Sequence, residues 1–148
     1  MRIAIGSDEV TALTDDLVAA LGEAGHQVER HGPLAGGDEE WVAASAAVAR
    51  AVAEGRAERG IVCCWSGTGA SIAANKVRGA RAALCVDAQT ARMARRYNHA
   101  NVLALSLRLT SPAMGREILE AFLAEPDGRD DFDLRNVGLV RAMEEGLP

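Results

Sequence analysis

The sequence predicts an α/β protein: a three-layer α/β/α Rossmann-like domain with a five-stranded parallel sheet and an extra C-terminal helix. Short apolar runs alternate with segments of helical periodicity along the whole chain, which is typical of parallel strands joined by covering helices. Glycines and one Ser-Pro pair stand where helices should end or begin. The 148 residues suit a single domain over 1–148, with a core over 1–124 and a break and helix over 125–148.

Five short apolar runs predict the strands of this sheet. They are residues 2–6, 27–31, 60–64, 80–86 and 101–106. In a parallel sheet the carboxyl ends of the strands share one edge, and ligands bind there. The segments expected at that edge are residues 7–9, 64–70, 87 and 106–108.

Six segments with helical periodicity predict the helices. They are residues 14–24, 40–54, 70–76, 88–96, 111–123 and 134–145. Gly25, Gly55 and Gly79 follow the first three segments, as glycines that end helices do. Ser111 and Pro112 suit the N-cap and first turn of the fifth.

The composition is that of an ordinary globular protein with a small-molecule ligand. Apolar residues make up 49% and charged residues 25% of the chain, and the formal net charge is −5. The arginines are spread along the sequence, which argues against a nucleic-acid partner. No apolar run approaches the length of a membrane span, and no signal segment precedes the first strand. We therefore expect a cytoplasmic protein without a membrane partner.

The most informative stretch is residues 63–76, Cys-Cys-Trp-Ser-Gly-Thr-Gly-Ala-Ser-Ile-Ala-Ala-Asn-Lys. It places a thiol at the end of a strand, then a turn of small residues, then an alanine-rich helix whose first N–H groups are unpaired, which suits chemistry on an anion. Gly67 and Gly69 allow a tight turn. The N–H groups of residues 66–70 are candidates for an oxyanion site. The spacing matches neither a dinucleotide fingerprint nor a P-loop.

The three cysteines are expected to be reduced. They cannot all pair with one another, and they lack the Cys-x-x-Cys or Cys/His spacing of a zinc site. Cys63 should face the opposite side of its strand from Cys64, and Cys85 lies in another strand-like run, so we interpret Cys63 and Cys85 as core residues.

Together, Gly6-Ser7-Asp8 and the segments 64–76, 81–85 and 98–105 resemble the sugar-phosphate isomerase family of ribose-5-phosphate isomerase B and the galactose-6-phosphate isomerase subunits. The resemblance covers residues 1 to about 124. It implies an aldose–ketose isomerase that works as a homodimer or a dimer of dimers. It also implies active sites shared across the dimer interface, with the last helix reaching over the partner.

Aldose–ketose interconversion moves a proton between adjacent carbons through an enediolate, so it needs a base and donors for the developing oxyanion. No metal or organic cofactor is required. Cys64 aligns with the cysteine that is the base in one branch of the family, whereas the glutamate of the other branch is Ala70 here. A thiol near a helix N-terminus suits this role. The alternative is that Cys64 is only a small buried residue.

The resemblance also assigns other site residues. Ser66 aligns with a hydroxyl residue that binds the reacting oxygens, and Asp8 with an aspartate that binds substrate hydroxyls, although Asp8 could simply be a turn residue. Cys64, Ser66 and His99 are therefore the catalytic candidates. The substrate-binding candidates are Asp8, Glu9, Trp65, Gly67, Thr68, Gly69, Ala70, Tyr97, Asn98, Arg108 and Arg135. In this reading Arg108 and Arg135 would hold a phosphate.

The chain departs from the family pattern at four site positions. Glu9 replaces a phosphate-contacting histidine, and its charge would repel a phosphate. Trp65 replaces a glycine. Tyr97 replaces the ring-opening histidine, so either His99 opens the ring or the substrate arrives in open-chain form. Trp41 replaces a tyrosine, and it could flank the pocket or pack at the start of the second helix.

The last helix leads us to expect a homodimer at least. Residues 125–133 include five acidic residues, a proline and a glycine, which gives enough chain to cross to a neighbour. Five other helices already suffice to cover a five-stranded sheet, so we expect the last helix to have no place in its own subunit. It nevertheless carries apolar side chains that need burial. These are Leu134, Val137, Leu139, Val140 and Met143.

Three other functions stay open. They are an isomerase of an unphosphorylated or otherwise modified sugar, a non-catalytic sugar- or anion-binding protein on the same scaffold, and a flavodoxin-like nucleotide-binding domain. The last of these fits the alternation of elements but lacks a fingerprint.

Overall fold

The computed structural model describes residues 1–38 and 40–146 and has the predicted three layers. All strand pairings in its five-stranded sheet are parallel, and the strand order is β2-β1-β3-β5-β4. The strands are β1 (Arg2–Ser7), β2 (Gln27–His31), β3 (Arg59–Cys64), β4 (Ala82–Leu84) and β5 (Val102–Ser106). The fold class predicted from the sequence is confirmed. Residues 39, 147 and 148 of the predicted domain lie outside the described residues.

The predicted fourth strand, residues 80–86, was too long, because β4 spans only Ala82–Leu84. β4 is an edge strand paired with β5 alone, and β5 begins at Val102, opposite Ala82. Before that point the Arg81 N–H donates to the Asn101 side chain instead of a strand. The apolar run in the sequence is therefore longer than the segment that pairs with β5.

In the part of the chain that the structure describes, six α-helices pack around the sheet: α1 (Ala12–Glu23), α2 (Trp41–Ala53), α3 (Thr68–Asn75), α4 (Ala88–Asn98), α5 (Pro112–Ala124) and α6 (Asp131–Glu144). Ser111 caps α5 as predicted. The helix α1 begins earlier than expected because Thr11 and Thr14 form a capping box. Likewise α6 begins at Asp131, within the predicted acidic break, because the Asp130 carboxylate accepts a hydrogen bond from the Phe132 N–H.

The two faces of the sheet have separate apolar cores. One core packs β-strand side chains against α1, α4 and α5, and the other packs them against α2 and α3. Cys63 and Cys85 lie in the first core, and Cys64 lies at the border of the second. The alternation of side chains along β3 thus turns Cys63 and Cys64 to opposite faces, as predicted.

The chain between α5 and α6 is attached to the end of α4. The guanidinium of Arg95, 2% exposed, donates to the backbone oxygens of Ala100 and Glu125 and pairs with Asp127 at 2.7 Å. The Gly128 N–H donates to the Arg96 carbonyl at 2.9 Å. These contacts set where α6 begins.

The expectation that the last helix has no place in its own subunit was too strong. Val137 is buried, α6 packs against α4, and the Glu144 carboxylate accepts hydrogen bonds from the Gly79 N–H at 3.0 Å. The outer side of α6 nevertheless leaves apolar side chains exposed. They are Phe132, Leu134, Leu139, Val140 and Met143.

We predict that Arg95→Met lowers the free energy of unfolding by about 3 kcal/mol, because it leaves buried carbonyl groups without donors and Asp127 without a partner. The neighbouring Arg96 is a matched control, since its ion pair with Glu125 involves a guanidinium that is largely exposed. Arg96→Gln should therefore cost less than about 1 kcal/mol. Urea unfolding monitored by circular dichroism measures both values. Equal losses would show that Arg95 contributes no more than a surface charge.

Candidate active site

A cavity of about 290 Å³ lies at the carboxyl edge of the sheet, where the sequence predicted the site. Its lining residues are Asp8, Trp41, Cys64, Trp65, Ser66, Thr68 and Gly69. Apart from Trp41, all were predicted site residues. A larger cavity of about 500 Å³ lies between α1 and α5. The smaller one is the better candidate, because it brings a thiol, a carboxylate and two hydroxyls together at a helix N-terminus.

Cys64 is the last residue of β3, and its sulfur meets the first turn of α3. The side chain is 5% exposed, and its Sγ accepts a hydrogen bond from the Ala70 N–H at 3.4 Å. An N–H donor at the positive end of a helix stabilises negative charge on sulfur. The Ala70 N–H, a predicted oxyanion donor, therefore binds the thiol group itself.

The thiols of Cys63 and Cys85 both have raised pKa values. Burial raises the pKa of Cys63 to about 12, and the nearby Cys64 and Asp8 add to the rise. Burial also raises the pKa of Cys85 to about 12, with a smaller contribution from Asp87. Both groups stay protonated at neutral pH, which fits the core role that the sequence predicted for them.

The turn between β3 and α3 requires glycine at position 67. Gly67 has φ 75°, and a Cβ there would lie 2.6 Å from Leu84 Cδ1 and 2.9 Å from the Leu105 carbonyl carbon. The turn is also tied to the segment after β5, since the Arg108 N–H and the Ser106 hydroxyl both donate to the Trp65 carbonyl at 3.0 Å. The residues after Cys64 are thus held in place from two sides.

Ser66 and Thr68 present paired hydroxyls to the cavity. Ser66 Oγ and Thr68 Oγ1 are 2.6 Å apart, and either oxygen can be the donor. Thr68 is the first residue of α3, and its N–H and that of Gly69 have no acceptor within the helix. The same side of the cavity therefore offers hydroxyl and backbone donors next to the sulfur.

Asp8 brings a carboxylate to the cavity at the end of β1. Its Oδ1 is buried without a hydrogen-bond partner among the described residues. Burial raises the pKa of the Asp8 carboxyl above its usual range, a backbone hydrogen bond partly opposes this, and the Glu9 charge adds to the rise. An unsatisfied carboxylate oxygen at a cavity wall is an acceptor for a ligand hydroxyl.

Trp41 fits both interpretations that the sequence left open. It is the first residue of α2 and lines the cavity. Its indole also packs against α3, so closely that a Cβ on Gly69 would lie 3.1 Å from Trp41 Cε3. Glycine at position 69 is what allows the ring to lie there. Sequence reasoning left Trp41 undecided because only tertiary contact brings α2 over the first turn of α3.

The other predicted site residues do not line this cavity. Glu9 is exposed beside Asp8, whereas Gly67 and Ala70 are buried. Arg108 approaches through its backbone N–H. Tyr97 and Asn98 end α4, which runs from the carboxyl edge back to the amino edge of the sheet.

His99 and Arg135 also belong to the amino-edge side of the molecule. His99 follows α4 with φ 50°, and its buried Nε2 donates to the Gly128 carbonyl at 3.0 Å. Arg135 lies on α6, which packs against α4. Within one subunit, these residues and Cys64 are at opposite edges of the sheet.

Within residues 1–38 and 40–146, no three His, Cys, Asp or Glu side chains are grouped to hold a metal ion. In the same part of the chain, no helix has the length and apolar character needed to cross a membrane.

A family model described as Ribose/Galactose Isomerase matches residues 3–136. The chain belongs to this family. It is 37% identical over 123 residues to ribose-5-phosphate isomerase B of Escherichia coli, covering 82% of this chain and 83% of the relative.

Two further relatives show how far the similarity extends. D-erythrulose-4-phosphate isomerase of Pectobacterium atrosepticum is 45% identical over 82 residues, which are 55% of this chain and 54% of that protein. The structure of ribose-5-phosphate isomerase B from Clostridium thermocellum superimposes with a TM-score of 0.91 at 35% identity and covers 99% of both chains.

We predict that Asp8→Asn stabilises the unliganded protein by about 1 kcal/mol at neutral pH, because it removes a poorly solvated charge beside Glu9. The raised pKa of Asp8 fixes the pH dependence: an ionised carboxylate with a raised folded-state pKa destabilises the fold above that pKa. The gain in unfolding free energy from Asp8→Asn should therefore shrink as the pH falls through the folded-state pKa of Asp8. Urea unfolding at pH 7 and pH 4 tests this. Glu9→Gln is the control, and an equal gain there would contradict a specific cost at Asp8.

Proposed function

We propose that this protein is an aldose–ketose isomerase of a small sugar phosphate and that Cys64 is its base. The observation that carries the proposal is the Cys64 sulfur, which lies at a cavity and accepts the Ala70 N–H at the start of α3. The relatives named above as isomerases of ribose 5-phosphate and erythrulose 4-phosphate support the reaction class. Neither substrate is assigned to this chain in preference to the other.

The proposed reaction begins with the aldose carbonyl near the α3 N-terminus. The Cys64 thiolate takes the proton from C2, and the electrons of the C–H bond move to the carbonyl oxygen O1, which gives an enediolate. The N–H groups of Thr68 and Gly69 and the Ser66 hydroxyl stabilise the negative charge. After the O2 proton has moved to O1, Cys64 returns a proton to C1 and the C2 carbonyl of the ketose forms. Asp8 accepts a hydrogen bond from a hydroxyl of the bound sugar.

For the phosphate we propose Arg108 as a ligand from the same subunit, because its backbone already borders the turn after Cys64. Glu9 opposes this with its charge. A second candidate function follows from the cavity itself, since none of the described residues that line it is basic. That observation favours an isomerase or a binding protein for an unphosphorylated sugar. Assays with phosphorylated and unphosphorylated aldoses decide which kind of sugar the protein takes.

We also propose that the protein is a homodimer or a dimer of dimers with shared active sites. Support comes from the apolar side chains left exposed on α6. Further support comes from four predicted site residues at the opposite edge from Cys64, which could contribute to a Cys64 cavity only in another copy. They are Tyr97, Asn98, His99 and Arg135. The three free thiols suit the reducing cytoplasm, which is the location we propose.

We predict that Cys64→Ala lowers kcat by about 10²- to 10⁴-fold while substrate binding persists, because the variant loses the base and keeps the cavity. Turnover of four-, five- and six-carbon aldose phosphates and deuterium uptake from D₂O measure the effect. Cys85→Ala removes a thiol outside the cavity and serves as the control. Full turnover by Cys64→Ala would place the base elsewhere. A wild-type protein that binds sugars without exchange or turnover would be a binding protein.

Mixing two inactive variants tests the shared site. If Arg135 acts in the partner's cavity, Cys64→Ala and Arg135→Ala subunits that exchange at random should recover about a quarter of the wild-type activity, because a mixed dimer has one intact site. Unmixed variants give the baseline. A fully active monomer in light scattering at micromolar concentration would contradict the proposal.

A further inference from the structure

We propose that Thr68 is a further catalytic residue, whose hydroxyl works with that of Ser66 to carry a proton between the two oxygens of the enediolate. This inference rests on the proposed isomerase function. The observation behind it is the pair of cavity-lining hydroxyls, Ser66 Oγ and Thr68 Oγ1, at 2.6 Å.

The reaction needs two proton movements, and Cys64 supplies only one of them. An aldose carries hydrogen on C2 and on O2, whereas the ketose carries the additional hydrogens on C1 and O1. The thiolate moves a proton from C2 to C1. A second proton must leave O2 and reach O1, and a positioned group is needed for that transfer.

A pair of hydroxyls suits this second transfer because each hydroxyl can donate and accept at the same time. After Cys64 has taken the C2 proton, O1 carries the negative charge. O2–H gives its proton to Ser66 Oγ, the Ser66 proton passes to Thr68 Oγ1, and the Thr68 proton passes to O1. Three O–H bonds break and three form, so both side chains are restored and the charge moves from O1 to O2. The reverse sequence serves the ketose.

The local structure leaves the Thr68 hydroxyl available for this role. The N-cap of α3 is Gly67, which has no side chain, so the Thr68 hydroxyl is not the N-cap acceptor of the helix. Its side chain is exposed at the cavity, and Ser66 is its hydrogen-bond partner. Thr68 is two residues before Ala70, whose N–H binds the Cys64 sulfur. The two proton paths thus meet at the same helix turn.

Thr68→Val tests the relay because it removes the hydroxyl and keeps the shape of the side chain. We expect kcat to fall about 10- to 100-fold with KM changed less than about threefold, and Thr68→Ser to restore most of the lost turnover. Ser71→Ala removes a neighbouring hydroxyl of α3 that does not line the cavity and is the control. Thr68→Ala replaces the valine variant if circular dichroism shows that the latter is misfolded.

Exchange of the C2 proton with D₂O separates a relay from a structural role. Without the relay, Cys64 still removes the C2 proton, but the enediolate returns to the aldose instead of going on to the ketose. The amount of deuterium taken up at C2 for each ketose molecule formed should therefore rise at least about tenfold in Thr68→Val. A proton inventory in H₂O/D₂O mixtures should change from curved to linear. Parallel loss of exchange and turnover, or unchanged kcat, would overturn the relay. A wild-type protein that neither exchanges nor isomerises any aldose phosphate would overturn the proposed function, and the relay with it.

Discussion

The hydrogen bond from the Ala70 N–H to the Cys64 sulfur is the contact on which the rest of the site depends. It joins the end of a central strand to the first turn of a helix, and it exists only because Gly67 turns the chain through a left-handed conformation. Any side chain at position 67 would meet Leu84 and Leu105 at contact distances that atoms do not adopt. The position of the thiol is therefore a property of the packed sheet as much as of the loop.

Around this contact the protein keeps polar groups that its own fold does not satisfy. Asp8 holds a buried oxygen that has no partner within residues 1–38 and 40–146, and the first N–H groups of α3 have no acceptor within the helix. Such groups cost stability in the empty protein and become favourable when a ligand supplies the missing partners. By contrast, buried Cys63 and Cys85 are neutral thiols in the core. The groups without partners are therefore concentrated at the carboxyl edge of the sheet, where the candidate site lies.

The opposite edge has a different role. There Arg95 and His99 hold the chain that leads to α6, through the backbone of residues 125–128 and the Asp127 carboxylate. The family resemblance made His99 a catalytic candidate, because it lies two residues after Tyr97, which replaces the ring-opening histidine of the family. In the fold its Nε2 is bound to a carbonyl of its own subunit, while the nearby Tyr97 is exposed. The described lining of the Cys64 cavity includes no residue from this edge of the same subunit.

The sequence by itself determined the α/β alternation, the parallel sheet, the opposite faces of Cys63 and Cys64, and the turn from Cys64 to Ala70, because periodicity and turn chemistry act between residues close along the chain. It could not determine the length of β4, the docking of α6, the contact of Trp41 with Gly69 or the edge at which His99 lies. These features join residues far apart in sequence, such as Arg95 and Asp127. Which distant residues meet depends on the strand order and the helix packing. The strand order and the helix packing are settled only when the whole chain folds.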